Sequence, residues 1–122
     1  MNEESQLILI PKCQDYIEYM IDVIIKMPRT EKFNIGNEYK QSMYKMLGSI
    51  LYINKLDVSK RLYYINQIDA DLNFQRVLLR IMYKNRWIDT KKFDVAIDKV
   101  AEIGKILGGL IKYYGKNIKK RI

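Results

Sequence analysis

Apolar residues recur at three- and four-residue steps along nearly the whole chain, and short polar breaks cut the pattern into four stretches. That period puts apolar side chains on one face of an α-helix, whereas a half-buried strand would alternate at every second residue. Ile10, Cys13, Ile17, Met20 with Ile21, and Ile24 predict a first helix from about Pro11 to Met27. Pro11 suits the first turn, where its missing N–H costs nothing, and Pro28 ends the helix. Leu7–Ile10 either extends this helix or forms the apolar end of an N-terminal arm, residues 1–10. Ile35, Tyr39, Met43, Met46 with Leu47, Ile50 and Ile53 predict a second helix, with Asn34 preferred over Asn37 as its N-cap.

The third stretch runs from about Val58 to Asn85 behind a capping Asp57, with Leu62, Ile65, Ile68, Leu72, Leu79 and Met82 on one face. Tyr64, Phe74, Val77, Leu78 and Ile81 lie off that face, so this helix needs a second apolar neighbour, such as another subunit. Asp89 or Thr90 caps a fourth helix carrying Phe93, Ile97, Val100, Ile103, Leu107, Leu110 and Tyr114. Gly115 is the expected stop, leaving residues 115–122 as a basic tail. Four helices joined by short breaks predict one all-α domain over residues 1–122, an antiparallel up-down-up-down four-helix bundle.

Glycines change this picture at two places. Gly48 inside the second helix costs about 1 kcal/mol relative to alanine, and a close helix neighbour is the expected offset. Gly104, Gly108 and Gly109, with Leu107 and Ile111 around them, are read as a packing set within or between subunits.

Composition narrows the chemistry. The chain of 122 residues is 48% hydrophobic and 30% charged, which suits one globular core. It has no apolar run of about 18 residues to span a membrane, and Glu3 and Glu4 stand where a secretory signal would be basic. With a single cysteine, the expectation is a cytoplasmic protein. The absence of histidine excludes Ser–His–Asp and Cys–His catalysis, and with a single cysteine it argues against a structural zinc site. The helix glycines lack the preceding strand, lysine and hydroxyl of a phosphate-binding loop. Asp69 with Asp71 and Asp94 with Asp98 read as solvated or salt-bridged helix acids, and Cys13 as a packing residue. The reading is a non-enzyme with no catalytic residue, metal or cofactor.

Charge is where the sequence departs from a generic bundle. Formal net charge is +8, yet residues 1–22 hold Glu3, Glu4, Asp15, Glu18 and Asp22 against one base, Lys12. The remainder is therefore strongly basic, and no acid follows Glu102. Arg76, Arg80 and Lys84 stack four apart on one helical face, and no acid occurs between Asp71 and Asp89. Arg86, Lys91 and Lys92 extend the positive density. Lys112, Lys116, Lys119, Lys120 and Arg121 make a second basic stretch. Arginine forks match phosphate oxygens, so these positions are the candidate nucleic-acid or partner contacts. Ten tyrosines are available to stack on bases but read first as bundle packing with wet hydroxyls.

The run Glu102-Ile103-Gly104-Lys105-Ile106-Leu107-Gly108-Gly109-Leu110-Ile111-Lys112 resembles the C-terminal signature of the Avd family, the accessory variability determinants of diversity-generating retroelements. Three further blocks agree in order: Met27 to Gly36, Leu72 to Arg80, and the tract from Trp87 and Ile88 into Phe93. Together they cover roughly residues 10–115. The resemblance implies a four-helix bundle assembled as a homopentameric barrel with a basic surface. It also implies a non-catalytic accessory that binds the element's reverse transcriptase and template RNA, or DNA or an RNA–DNA hybrid, and supports mutagenic cDNA synthesis. Arg76, Arg80 and Lys84 would be the foremost contacts. A related bundle family, encoded by intervening sequences in bacterial ribosomal RNA genes, offers the alternative: a ring-forming scaffold with a protein-only or other partner.

Overall fold

In the computed structural model the backbone is described for residues 2–121 and the side chains for residues 7–116. Four long helices and one short one account for the fold: α1 (Asn2–Ile25), α2 (Arg29–Phe33), α3 (Ile35–Ile53), α4 (Val58–Lys84) and α5 (Thr90–Arg121). The packed pairs are α1 with α3, α3 with α4, α4 with α5, and α5 with α1. That closes a four-membered ring in which α1 sits diagonally across from α4. Contacts between neighbours run in opposite directions along the chain. Lys12 meets Glu102 while Asp15 meets Lys99, and Leu72 faces Gly104 while Tyr83 stacks on Phe93. The bundle is therefore antiparallel, as the periodicity predicts. Among the described residues no helix is long and apolar enough to cross a membrane.

The predicted stripes supply most of the core, joined by Tyr16, which lies outside the predicted stripe of the first helix. Cys13, Tyr16, Met20 and Ile24 of α1, Tyr39, Met43 and Met46 of α3, Ile65, Ile68, Leu72 and Leu79 of α4, and Val100, Leu107 and Tyr114 of α5 are all fully buried. Burial pushes the Cys13 thiol up to about 11, so it packs as a small hydrophobe.

Three boundaries differ from the sequence reading. First, α1 begins at Asn2, so Pro11 lies inside the helix and residues 2–10 are not a separate arm. A proline inside a helix costs about 3 kcal/mol; here burial of Leu9 and partial burial of Ile10 give the preceding turns a reason to remain helical. Second, α5 continues through Gly115 to Arg121. No glycine among the described residues has positive φ, so Gly115 does not form the left-handed cap that would stop the helix. Third, the break after Pro28 contains α2, which ends where Asn34 starts α3 without a side-chain cap. Asp57 likewise makes no side-chain cap, whereas Asp89 Oδ1 accepts the Lys92 N–H at 2.8 Å and caps α5.

Gly36 stands at the tightest corner: a Cβ there would come within 2.8 Å of Ile24 Cγ2. The expected close neighbour of Gly48 is absent, since a Cβ there meets nothing within 4 Å.

A polar cluster crosses the core. Tyr16 donates to Gln75 Oε1 at 2.8 Å, which leaves Tyr39 to donate to the Tyr16 hydroxyl oxygen. Gln75 Nε2 donates to Ser42 Oγ at 3.0 Å, and Ser42 reaches the Asp71 carbonyl at 3.4 Å. Tyr16, Tyr39 and Gln75 are fully buried, so these hydroxyls are paired with protein rather than with water as expected. Burial holds both phenols well above their usual range, and they stay protonated. The chain links α1, α3 and α4 in one register, because a slip would bury the same groups unpaired.

Candidate nucleic-acid interface

On α4 the core stripe occupies one side, and the opposite side carries two adjacent rows. The first is basic. Arg76 is half-buried, donates to Asn73 Oδ1 at 2.6 Å, and lies across to α5: a Cβ on Gly104 would come within 3.0 Å of its Nη2. Gly104 thus admits the Arg76 guanidinium beside Leu72, a side-chain contact within the chain. Arg80 and Lys84 are exposed. The second row is apolar: Tyr63 (65% exposed), Phe74 (47%), Val77 (48%) and Ile81 (39%). Phe33 of α2 is also exposed, and it lines a shallow recess shared with Phe74 and Leu78. Of the off-stripe apolar residues of the sequence reading, Phe74, Val77 and Ile81 are left exposed by the monomer, whereas Tyr64 and Leu78 are partly buried against the core.

The basic row continues into the α4–α5 turn. Trp87 N–H donates to Met82 O and Arg86 N–H to Tyr83 O, both at 2.9 Å, which closes the last turn of α4 in a Schellman cap. The cap needs a left-handed residue, and Arg86 supplies it with φ 62°. Non-glycine residues take this conformation at a cost of about 1–2 kcal/mol. Lys91 follows, exposed, in the first turn of α5.

The structure separates cations that are already paired from those that are not. Lys12 binds Glu102 at 2.6 Å, Lys99 binds Asp15 at 2.5 Å, and Lys45 and Lys26 meet Asp71 and Asp22. Arg61 donates to Leu56 O and to Tyr114 Oη and lies over the Tyr114 ring. By contrast Arg80, Lys84, Arg86, Lys91, Lys112 and Lys116 have no carboxylate partner among the described residues. The acids Asp15, Glu18 and Asp22 all lie on α1, which packs against α3 and α5, and Asp15 is already paired with Lys99 of α5.

The candidate residues fall into two groups. Arg76, Arg80, Lys84, Arg86 and Lys91 share the end of the bundle near the α4–α5 turn. Lys112 and Lys116 are exposed at the other end of α5, about 30–40 Å from Lys91 at the helical rise per residue. Side chains of Lys119, Lys120 and Arg121 lie outside the described residues, although α5 extends to Arg121. In the packing set Leu107 is buried and Ile111 half-buried against the core, whereas Gly108 and Gly109 have open space where a Cβ would stand. Among the described residues no group of three or more acids or cysteines is placed to hold a metal.

Comparison with known proteins adds the family. No curated protein matches the chain. The crystal structure of a protein of unknown function from the S23 ribosomal protein family of Bacteroides thetaiotaomicron superposes with a TM-score of 0.81 at 14% identity. The overlap covers 88% of this chain and 98% of that one. At that identity the likeness is one of fold. A sequence profile described as bAvd-like matches residues 7–114, which includes α3 and α4 whole, most of α1 and α5, the basic row of α4 and the glycine run of α5. By that match, the chain belongs to the bAvd-like family.

Proposed function

We propose that this protein is a non-catalytic accessory of a diversity-generating retroelement. It assembles as a homopentameric barrel, binds the element's reverse transcriptase and template RNA, and supports mutagenic cDNA synthesis. The observation that carries the reading is the pair of rows on the outer side of α4 in a chain of the bAvd-like family. Val77 and Ile81 offer apolar surface to a neighbouring subunit, and Arg80 and Lys84 beside them offer unpaired cations to phosphate. The open backbone at Gly108 and Gly109 is a second place where another helix could approach closely. A ring would repeat the basic row in every subunit, so modest individual phosphate contacts would act together.

The test is copurification with the reverse transcriptase and its RNA. Arg80→Glu with Lys84→Glu is expected to leave the assembly size unchanged and to abolish RNA retention at moderate salt. Unchanged retention would refute the assigned surface. A second reading, a ring-forming scaffold with a protein-only partner, uses the same four-helix fold, which is all that the S23-family neighbour shares with this chain. A partner complex that survives ribonuclease intact would favour it.

A further inference from the structure

We propose that the corner between α4 and α5 is a pocket for one unpaired nucleotide, with the base against Trp87 and the phosphate on Lys84, Arg86 and Lys92. The inference rests on the RNA-binding reading above and gives that reading a point of contact. The corner encloses an open recess of about 560 Å³, inside the roughly 300–1,000 Å³ typical of small-ligand sites.

Its walls combine two chemistries. One is aromatic and held in place. Tyr83 stacks on Phe93 at 4.2 Å and 13°, and its hydroxyl is 3.0 Å from Thr90 Oγ1. Trp87 lines the same recess, fixed by its backbone bond to Met82 O and by the buried Ile88 that follows it. The other is cationic. Lys84, Arg86 and Lys92 line the recess with one acid, Asp89, whose Oδ1 already accepts the Lys92 backbone N–H. None of the three cations has a carboxylate partner among the described residues.

Cations alone would accept any polyanion. Cations with an indole in one recess fit a ligand that joins an anion to a flat ring, which is what an unpaired nucleotide is. A duplex hides its base faces in the stack, and an acidic peptide segment has no ring to offer. Arg86 agrees with this assignment. Glycine would relieve the left-handed backbone at that position, yet the chain keeps a long cationic side chain there, at the mouth of the recess.

Trp87 is the one tryptophan in the protein, so its emission reports on this pocket alone. The experiment titrates the full-length protein with a short single-stranded RNA and follows Trp87 emission, with the anisotropy of labelled RNA measured in parallel. Emission is expected to fall saturably with the same midpoint as the anisotropy, while duplex RNA and polyglutamate leave it unchanged. Trp87→Leu should weaken single-strand binding about tenfold, within the range of one stacked base. Arg86→Gly should weaken binding while raising the melting temperature, which guards against a loss caused by unfolding. RNA that binds by anisotropy without changing Trp87 emission would overturn the pocket and leave the RNA-binding reading standing. Equal quenching by duplex RNA or polyglutamate would also overturn it, since charge alone would then explain the effect. Absence of RNA binding by anisotropy would overturn both.

Discussion

The inner and outer sides of α4 both mix polar with apolar side chains, yet only one side is complete. Inside, Gln75 sits between Leu72 and Leu79 and uses both its amide oxygen and its amide nitrogen, on Tyr16 and Ser42. Outside, Arg80 and Lys84 lack a carboxylate, and Phe74, Val77 and Ile81 remain 39–48% exposed. A buried polar group must be satisfied within the chain or it destabilises the fold. An exposed row can wait for a partner, because water covers it at little cost meanwhile. Substitutions inside should therefore act on folding, and substitutions outside on association.

The largest expected effect is at Gln75. Gln75→Leu keeps the volume but strips the Tyr16 hydroxyl of its acceptor and Ser42 of its donor. Urea unfolding should show a loss of about 3 kcal/mol, the upper part of the range for leaving buried groups unsatisfied. Adding Tyr16→Phe and Tyr39→Phe removes the stranded hydroxyls and should recover most of that loss. A neutral Gln75→Leu would mean that the cluster does not contribute as its geometry implies.

The outer side should respond in the opposite way. Val77→Asp with Ile81→Asp changes two exposed positions, so monomer stability should move by no more than about 0.5 kcal/mol. Self-association, followed by sedentation-velocity ultracentrifugation or light scattering, should collapse to the monomer. An assembly of unchanged size would take the apolar row out of the subunit interface and leave the glycine face of α5 as the alternative.

How much of this was legible in sequence depends on the side concerned. Apolar periodicity located the core faces because burial there has one cause, repeated at every turn. It placed Leu62, Ile65, Ile68, Leu72, Leu79 and Met82 on one face, and all are buried except Leu62, which is half-buried against the core. Gln75 escaped notice because a lone polar residue within a helix looks like surface until its partners on α1 and α3 are known. Helix ends were less readable. By local propensity Pro11 is a start signal and Gly115 a stop signal, and the flanking residues keep the helix through both places. Gly48 was given a packing reason that does not exist in the monomer. Among the candidate contacts, spacing put Arg76, Arg80 and Lys84 on one face. It could not reveal that Arg76 is half-engaged with Asn73 and Gly104, or that Trp87 and Lys92 line one recess.

The smallest effect concerns the seam between α1 and α5, where charges are paired within the chain but remain exposed. The hydrogen bond from Lys12 and the charge of that ammonium hold the Glu102 carboxyl below its ordinary value. A carboxyl depressed in the folded state stabilises the fold above its unfolded pKa, and the contribution disappears as pH falls through the folded value. Stability should therefore decline slightly as pH drops below the ordinary glutamate range, and Glu102→Gln should flatten that part of the profile. Both side chains are largely solvated, 42% and 60% exposed, so the difference should be small and should shrink further in high salt. The Gln75→Leu deficit, by contrast, should be nearly independent of salt, since no formal charge takes part in it. Comparing the two variants across pH and ionic strength thus separates contacts that close the core from contacts that merely decorate its edge. A large, salt-insensitive loss from Glu102→Gln would show that the α1–α5 seam belongs with the inner side of the bundle.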